Sequence, residues 1–315
     1  MIARAPGKVV LSGAYAVLEG APALVAAVDR YAVADAAREA TLVTPEVREA
    51  LARRAPAAAP WFDASALRDE TRGKKLGLGS SAAILVASLA ALELAADPAR
   101  GDAELGARVL PDALAAHRAA QRGGSGVDVA ASALGGILRF ERPAPDASPR
   151  IERITLPEGL FVQIWSSAGE AATSAMLAQV AELARARPAE HRRLLGALCE
   201  ASRAAAEARD GARFIEACRS QLGLLGELGL LAGAPIVTEE VRAFGRATAP
   251  HSVVLPSGAG GGDIVLYMST EPPGPDVERT AQKCGFFPLS ASIGAKGVHA
   301  APRPWQNAER NEATP

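Results

Sequence analysis

The chain has 315 residues, 49% of them hydrophobic and 22% charged, and its 34 Lys and Arg against 35 Asp and Glu leave a formal net charge of −1. This is the balance of a globular protein, long enough for two packed cores. Near-neutrality excludes a broad basic nucleic-acid footprint, so any anion site has to be built locally.

β-prone runs at 9–11, 23–28 and 31–34, punctuated by Gly and Pro, predict short strands. Residues 44–54, with Pro45 near the start, predict a short helix, and 55–60 an Ala/Pro loop. A helix is predicted over 80–96, opening on a glycine-rich turn with Ser as its N-cap. Residues 102–121 predict a second helical region, broken before Pro111. A glycine turn at 123–126 leads into a further helix at 127–134. Strands are expected at 136–141 and 151–156, joined by a Pro-rich loop at 143–149 near a domain boundary, and then at 160–165. Residues 171–231 read as helical, interrupted near Pro188 and Gly211. The remainder alternates: a strand at 251–255, a glycine loop, a strand at 264–268, a helix at 277–284, a last strand near 297–300, and a polar, frayed tail at 302–315. Strands and helices mix without regular βαβ alternation, which predicts the α+β class.

Cysteines stand at 199, 218 and 284 with no C-x-x-C spacing, and histidines at 117, 191, 251 and 299 are equally dispersed. The pattern argues against a disulfide framework or a zinc site and fits a reducing compartment. The apolar stretch after Arg4 and Lys8 is interrupted by Gly13, Glu19, Gly20 and Pro22, unlike a signal peptide. The longest apolar segment, 84–96, contains Glu93 and is too short to cross a bilayer. A cytoplasmic protein with neither a membrane nor a nucleic-acid partner is expected.

Four glycine-rich segments carry the chemical signal. The first is Ala5-Pro6-Gly7-Lys8 with the stretch that follows to Gly20. The second is Lys75-Leu76-Gly77-Leu78-Gly79-Ser80-Ser81-Ala82-Ala83. The third runs from His117 through Gln121-Arg122-Gly123-Gly124-Ser125-Gly126-Val127-Asp128. The fourth is Pro256-Ser257-Gly258-Ala259-Gly260-Gly261-Gly262-Asp263.

In the second segment, glycines let backbone N–H groups converge, and a helix start adds free amides and its positive dipole end. Small side chains leave room for a bulky anion, so Gly77, Leu78, Gly79, Ser80, Ser81 and Ala82 read as a triphosphate cradle. The Ser80 and Ser81 hydroxyls suit a phosphate-bound Mg²⁺. Read alone, the segment also admits a helix start without a ligand. It fits G-x-G-x-x-A too, although the charged turn Arg72-Gly73-Lys74-Lys75 before it is no strand. No G-x-x-x-x-G-K-[ST] loop occurs.

The fourth segment is either a flexible hairpin connection or a second anion-binding loop, and its glycines exceed what a hairpin needs. In the third, Asp128 follows a glycine turn that begins at Arg122. It either caps the next helix or orients, or deprotonates, an attacking oxygen. Lys8 by itself reads as a solvated lysine.

Taken together and in order, the segments resemble the motifs of the GHMP kinases, over roughly residues 3–300. Three details are similar to the phosphomevalonate-kinase branch: Asp63-Ala64-Ser65-Ala66-Leu67 leading into the second segment, Ala116-His117 with Ala120-Gln121 and Gly124–Asp128, and Trp165-Ser166-Ser167 with Thr173. The resemblance implies an S5-like N-terminal ATP-binding domain, 1–156, a ferredoxin-like C-terminal domain, 157–315, and an active site between them. It implies ATP and Mg²⁺, with residues 77–82 on the nucleotide and Ser80 or Ser81 toward the metal. Lys8 and Asp128 would be catalytic. Tyr15, Arg122, Ser125, Gly126, Ser257, Gly258, Ala259 and Gly260 would bind the acceptor, a phosphorylated small molecule. Arg122, Lys74, Lys75 and Arg30 are candidate cations for its phosphate. Ala14 and Leu255 stand where relatives more often carry Glu and Lys, and His117 where mevalonate kinases carry a metal-binding Glu. These departures keep two alternatives open: a GHMP kinase with another acceptor, such as mevalonate, and a protein of this fold that binds a metabolite without turnover.

Overall fold

The computed structural model describes residues 1–54, 58–69, 73–101, 104–121, 124–142, 144, 147–167, 169 and 173–302. Much of the predicted Ala/Pro loop, parts of the 143–149 connector, the first residues of the 102–121 helical region, Arg122 and nearly all of the polar tail lie outside these.

Strands β1 (Ile2–Ser12) and β2 (Ala23–Glu39) are far longer than the three short runs predicted. The physical reason is tertiary. Both are held in one antiparallel pair whose register shifts at Pro6/Gly7 and Val10/Ser12, so Pro6 and Gly7 sit at an irregularity rather than ending the strand. Strands β3 (Pro60–Asp63), β4 (Ile137–Glu141) and β5 (Arg150–Ile154) complete the order β10-β1-β2-β4-β5, with β3 also on β2. Here β10 (His299–Ala301) is the last described strand, and it returns to β1 by pairing Arg4 with His299 and Ile2 with Ala301.

Of the helices that follow, α2 (Ser80–Ala96) and α4 (Val127–Leu134) pack on this sheet, and α1 (Pro45–Leu51) and α3 (Leu105–Gln121) pack against them. α1 is capped by Thr44, whose hydroxyl accepts from Val47 N at 3.3 Å. Ala82 to Ala91 of α2 are all buried, as is Leu94. A helix apolar around nearly its whole girth belongs inside a core, and its many alanines permit close approach to β1 and β2. α3 is not broken at Pro111, contrary to expectation. Pro111 and Ala107, the residue whose carbonyl the missing N–H leaves unpaired, are both exposed, so the lost bond lies on the solvent side of the helix, where it costs least.

The second sheet has the antiparallel order β7-β8-β6-β9, from β6 (Phe161–Ser167), β7 (Ser252–Pro256), β8 (Ile264–Ser269) and β9 (Phe286–Pro288). Its helices are α5 (Thr173–Ala186), α6 (Pro188–Glu207), α7 (Gly211–Ala232), α8 (Glu239–Thr248) and α9 (Pro275–Lys283). Pro188 and Gly211 open α6 and α7, where breaks were predicted. α8 was not predicted: only Val241 and Phe244 are buried along it, too sparse a pattern to read. Its Phe244 packs within 5.8–5.9 Å, ring centroid to centroid, of Trp165, Tyr267 and Phe286. Such contacts contribute about 0.5–1.5 kcal/mol per pair beyond burial. The class is α+β, with two separate antiparallel sheets. Among the described residues no helix is long and apolar enough to cross a membrane.

The parts are joined through buried polar contacts. Gln221 of α7, fully buried, accepts from Gly13 N at 2.9 Å and donates to Ser12 Oγ at 3.0 Å and to Ala201 O at 3.3 Å. Ser202 of α6 donates to the carbonyl of Pro22.

Candidate active site

Lys8 is the point where the four segments meet. Its side chain leaves the middle of β1 and is buried. Its backbone N donates to Leu78 O at 2.8 Å, and Nζ donates to Gly77 O at 3.2 Å. A Cβ on Gly79 would stand 3.0 Å from Lys8 Cε, and one on Gly258 would stand 3.9 Å from Nζ. Burial pulls the ammonium below its ordinary 10.5, while Asp128 and then Asp263 act in the opposite sense. An ammonium alone reads as solvated; here it is walled in by backbone and faced by two carboxylates.

The second segment passes under Lys8 and turns into α2. The expected Ser N-cap is not formed. Gly79 occupies the cap position at φ 74°, ψ 38°, with no side-chain cap bond. That left-handed conformation suits glycine, and the absence of a capping side chain leaves the first amides of α2 to other partners. Ser80 and Ser81 are half-buried at this end. Leu78 contributes only backbone, because its side chain is core, and Ala82 is likewise fully buried.

The third segment repeats the device. Gly126 caps α4 at φ 79°, and a Cβ there would strike Leu114 Cδ2 at 2.5 Å. Asp128 therefore does not serve as the N-cap. Its Oδ1 accepts from Val129 N at 3.0 Å, and its Oδ2 lies 3.3 Å from Nε2 of buried His117 on α3. The hydroxyl of Ser125 accepts from Val127 N at 3.3 Å. Arg142, just past β4, is buried and donates to Gly124 O at 3.3 Å. Burial, and then Arg118, lower its pKa. Nothing in the sequence singled it out.

The fourth segment closes over β1. Ser257 Oγ accepts from Val10 N at 2.8 Å, and Tyr15 OH donates to Ala259 O at 2.7 Å. Burial raises the Tyr15 pKa. Tyr15 sits at φ 62°, a rare conformation for a non-glycine residue that its buried contacts hold in place. Gly261 N donates to the carbonyls of Pro235 and Ile236, and a Cβ on Gly260 would strike Ile236 O at 2.3 Å. Ser257, Ala259, Gly260 and Tyr15, expected at the acceptor, thus make the contacts that shape this loop.

Of the candidate cations, Arg30 is bonded to the carbonyls of Ser290 and Ala66, both at 3.2 Å, which accounts for its placement without a ligand. Lys74 and Lys75 line a small cleft with Asp69, Leu76, Ser167, Gly169 and Asp263. Arg122 lies outside the described residues. Ala14 and Leu255 are both buried within the main core, so neither position presents a side chain to solvent. A larger open groove of about 560 Å³, bordered by Leu24, Glu152, Ile154 and Arg209, contains none of the predicted residues.

Two carboxylates, a buried ammonium and an uncapped helix start beside a glycine loop suit a polyanion that has to be neutralised and held in line. With the two-sheet fold, they are similar to the sites of GHMP kinases, proteins to which the chain is similar in sequence as well. It is 26% identical over 258 residues to phosphomevalonate kinase of Streptomyces sp. (strain CL190), an alignment covering 72% of this chain and 66% of that kinase, just under two thirds of its length. It is 28% identical over 291 residues to mevalonate kinase of Archaeoglobus fulgidus, covering 87% of this chain and 95% of that one. No protein-family model matches the chain. Among solved structures, Streptococcus pneumoniae phosphomevalonate kinase in complex with phosphomevalonate and AMPPNP superposes with a TM-score of 0.71 at 20% identity, covering 93% of this chain and 99% of that one. The relatives that the chain is similar to, in sequence and in fold, are small-molecule kinases.

Proposed function

We propose that the protein transfers the γ-phosphate of ATP to (R)-5-phosphomevalonate, giving 5-diphosphomevalonate. The observation that carries this reading is the buried Lys8 ammonium set between the glycine-rich helix start and two carboxylates. An acceptor that is already a phosphate monoester is largely ionised at neutral pH, so it needs little general-base help. What it needs is relief from repulsion between two anions. Lys8 supplies positive charge at that point, and its burial weakens the screening of that charge by solvent. Asp128, braced by His117, orients the attacking oxygen. Residues 77–82 hold the nucleotide phosphates through backbone amides, and the rim lysines Lys74 and Lys75 attract the second anion.

Mg²⁺ fits this arrangement through hard oxygen donors, the Ser80 and Ser81 hydroxyls together with the nucleotide's phosphates. Among the described residues no group of three or more His, Cys, Asp and Glu is placed to hold a metal ion, so a protein carboxylate cage is not part of the reading. The ion would neutralise charge on the phosphates.

The test is an ADP-release assay with mevalonate and with phosphomevalonate. Turnover with phosphomevalonate alone is the expected result. Preference for mevalonate would move the protein to the other relative's reaction. ATP binding with no ADP formed on any acceptor would make it a binding protein of this fold. Asp128→Asn should lower kcat by roughly two orders of magnitude and leave ATP affinity nearly unchanged. An unaltered kcat would remove Asp128 from the mechanism.

A further inference from the structure

Asp263 ends the fourth glycine run and precedes β8, and no role follows for it from the motif pattern. Its surroundings are specific. A Cβ built on Gly77 would stand 2.4 Å from Asp263 Oδ2 and 2.9 Å from its Cγ, so the carboxylate occupies the space that the missing side chain leaves. Its Oδ1 accepts from Ile264 N at 2.8 Å, which fixes the carboxylate plane, and its carbonyl accepts from Ser167 N at 3.0 Å, which fixes the backbone against β6. The loop it leans on is the one whose Gly77 carbonyl accepts from Lys8 Nζ at 3.2 Å.

We propose that Asp263 is a positioning residue for Lys8. Its carboxylate braces the Gly77 turn that holds the ammonium and, with Asp128, flanks that ammonium with negative charge. This rests on the kinase reading for its consequence but not for its geometry. Lys8 faces Asp128 from α4, Asp263 from the β7–β8 turn, and the uncapped start of α2, whose dipole opposes the ammonium. His117 touches Asp128, and Lys74 and Lys75 line the cleft on which Asp263 opens. Both carboxylates oppose the burial that pulls the lysine toward neutrality. Without Asp263, Lys8 would be neutral over more of the working pH range, and the turn beneath it less fixed.

The variant is Asp263→Asn, which keeps the acceptor for Ile264 N. Asp263→Ser serves as a second variant should the first fold poorly. The chain has five lysines, so the ¹³Cε signals of labelled lysine can be followed one by one, with Lys8→Arg assigning the first. In the folded protein without nucleotide, the Lys8 titration is expected to move to lower pH in Asp263→Asn, and Lys283 and Lys296, which do not line the Asp263 cleft, to stay in place. In the ADP-release assay, the alkaline limb of kcat should move the same way, with kcat at neutral pH down by about tenfold and KM for ATP within about threefold. Lys8 titrating as in the wild type in a folded variant overturns the proposal. If no acceptor supports ADP release, the kinase reading fails by itself, and the NMR titration still decides the role of Asp263.

Discussion

Lys8 shows how one residue changes meaning with its surroundings. Its pKa lies below the 10.5 of a solvated lysine because burial outweighs the attraction of Asp128 and Asp263. The charged form therefore persists below that lowered value and is lost as pH rises through it. Activity that depends on the charge should fall on the alkaline side before pH 10.5 is reached. The stability term has the opposite sign. Between the lowered value and 10.5 the unfolded chain still binds a proton that the folded chain has released, so Lys8's own contribution to stability rises with pH across that window. Measuring kcat and urea-unfolding free energy against pH, for wild type and Lys8→Met, separates the two: the kcat limb descends where the lysine's stability difference improves. Read by itself the sequence offered a lysine after a glycine, and only the resemblance implied a catalytic role for it. Its neighbours come from positions 77–79, 128, 258 and 263, and their approach is a property of the folded chain.

At the scale of elements, the two helices that open on the site share one device, a left-handed glycine cap without a capping side chain. The start of α2 at Ser80 and of α4 at Val127 was legible, because a glycine turn followed by a small or apolar run is a local signal. Which residue capped each helix was not, because Ser and Asp are good caps in isolation and only the chain's path denies them the position. Gly79→Ala tests the device. The new side chain would be held at φ 74° and within 3.0 Å of Lys8 Cε. The strained backbone should lower stability by about 1–2 kcal/mol. KM for ATP should rise as well, since Lys8 and the first amides of α2 have to shift. An unchanged unfolding midpoint and KM would show that the cap tolerates a side chain.

Across the whole molecule, the site depends on distant parts being tied together. Gln221 reaches back from α7 to Ser12 and Gly13, at the end of the strand that carries Lys8. Gln221→Leu would leave Gly13 N and the Ser12 hydroxyl without their buried partner, at a cost of about 1–3 kcal/mol by chemical denaturation. Loss of that size without a matching loss in an exposed control such as Gln282→Leu would locate the effect in the tie. β10 does similar work at the other edge, where His299 accepts from Arg4 Nε at 2.6 Å and packs edge-on against Tyr31.

The sequence by itself determined what local chemistry can specify: the α+β class, the breaks at Pro188 and Gly211, the helix over 80–96, and the four glycine-rich stretches whose order resembles one kinase superfamily. Glycine and proline act within a few residues, so their effects are written locally. The tertiary structure decided the reach of β1 and β2, the unbroken α3, the apolar burial of positions 14 and 255, and the closing of β10 onto β1. It also brought Asp263 to Gly77 and Lys8. Those outcomes follow from strand pairing, desolvation and excluded volume between segments far apart in the chain, which no local window contains.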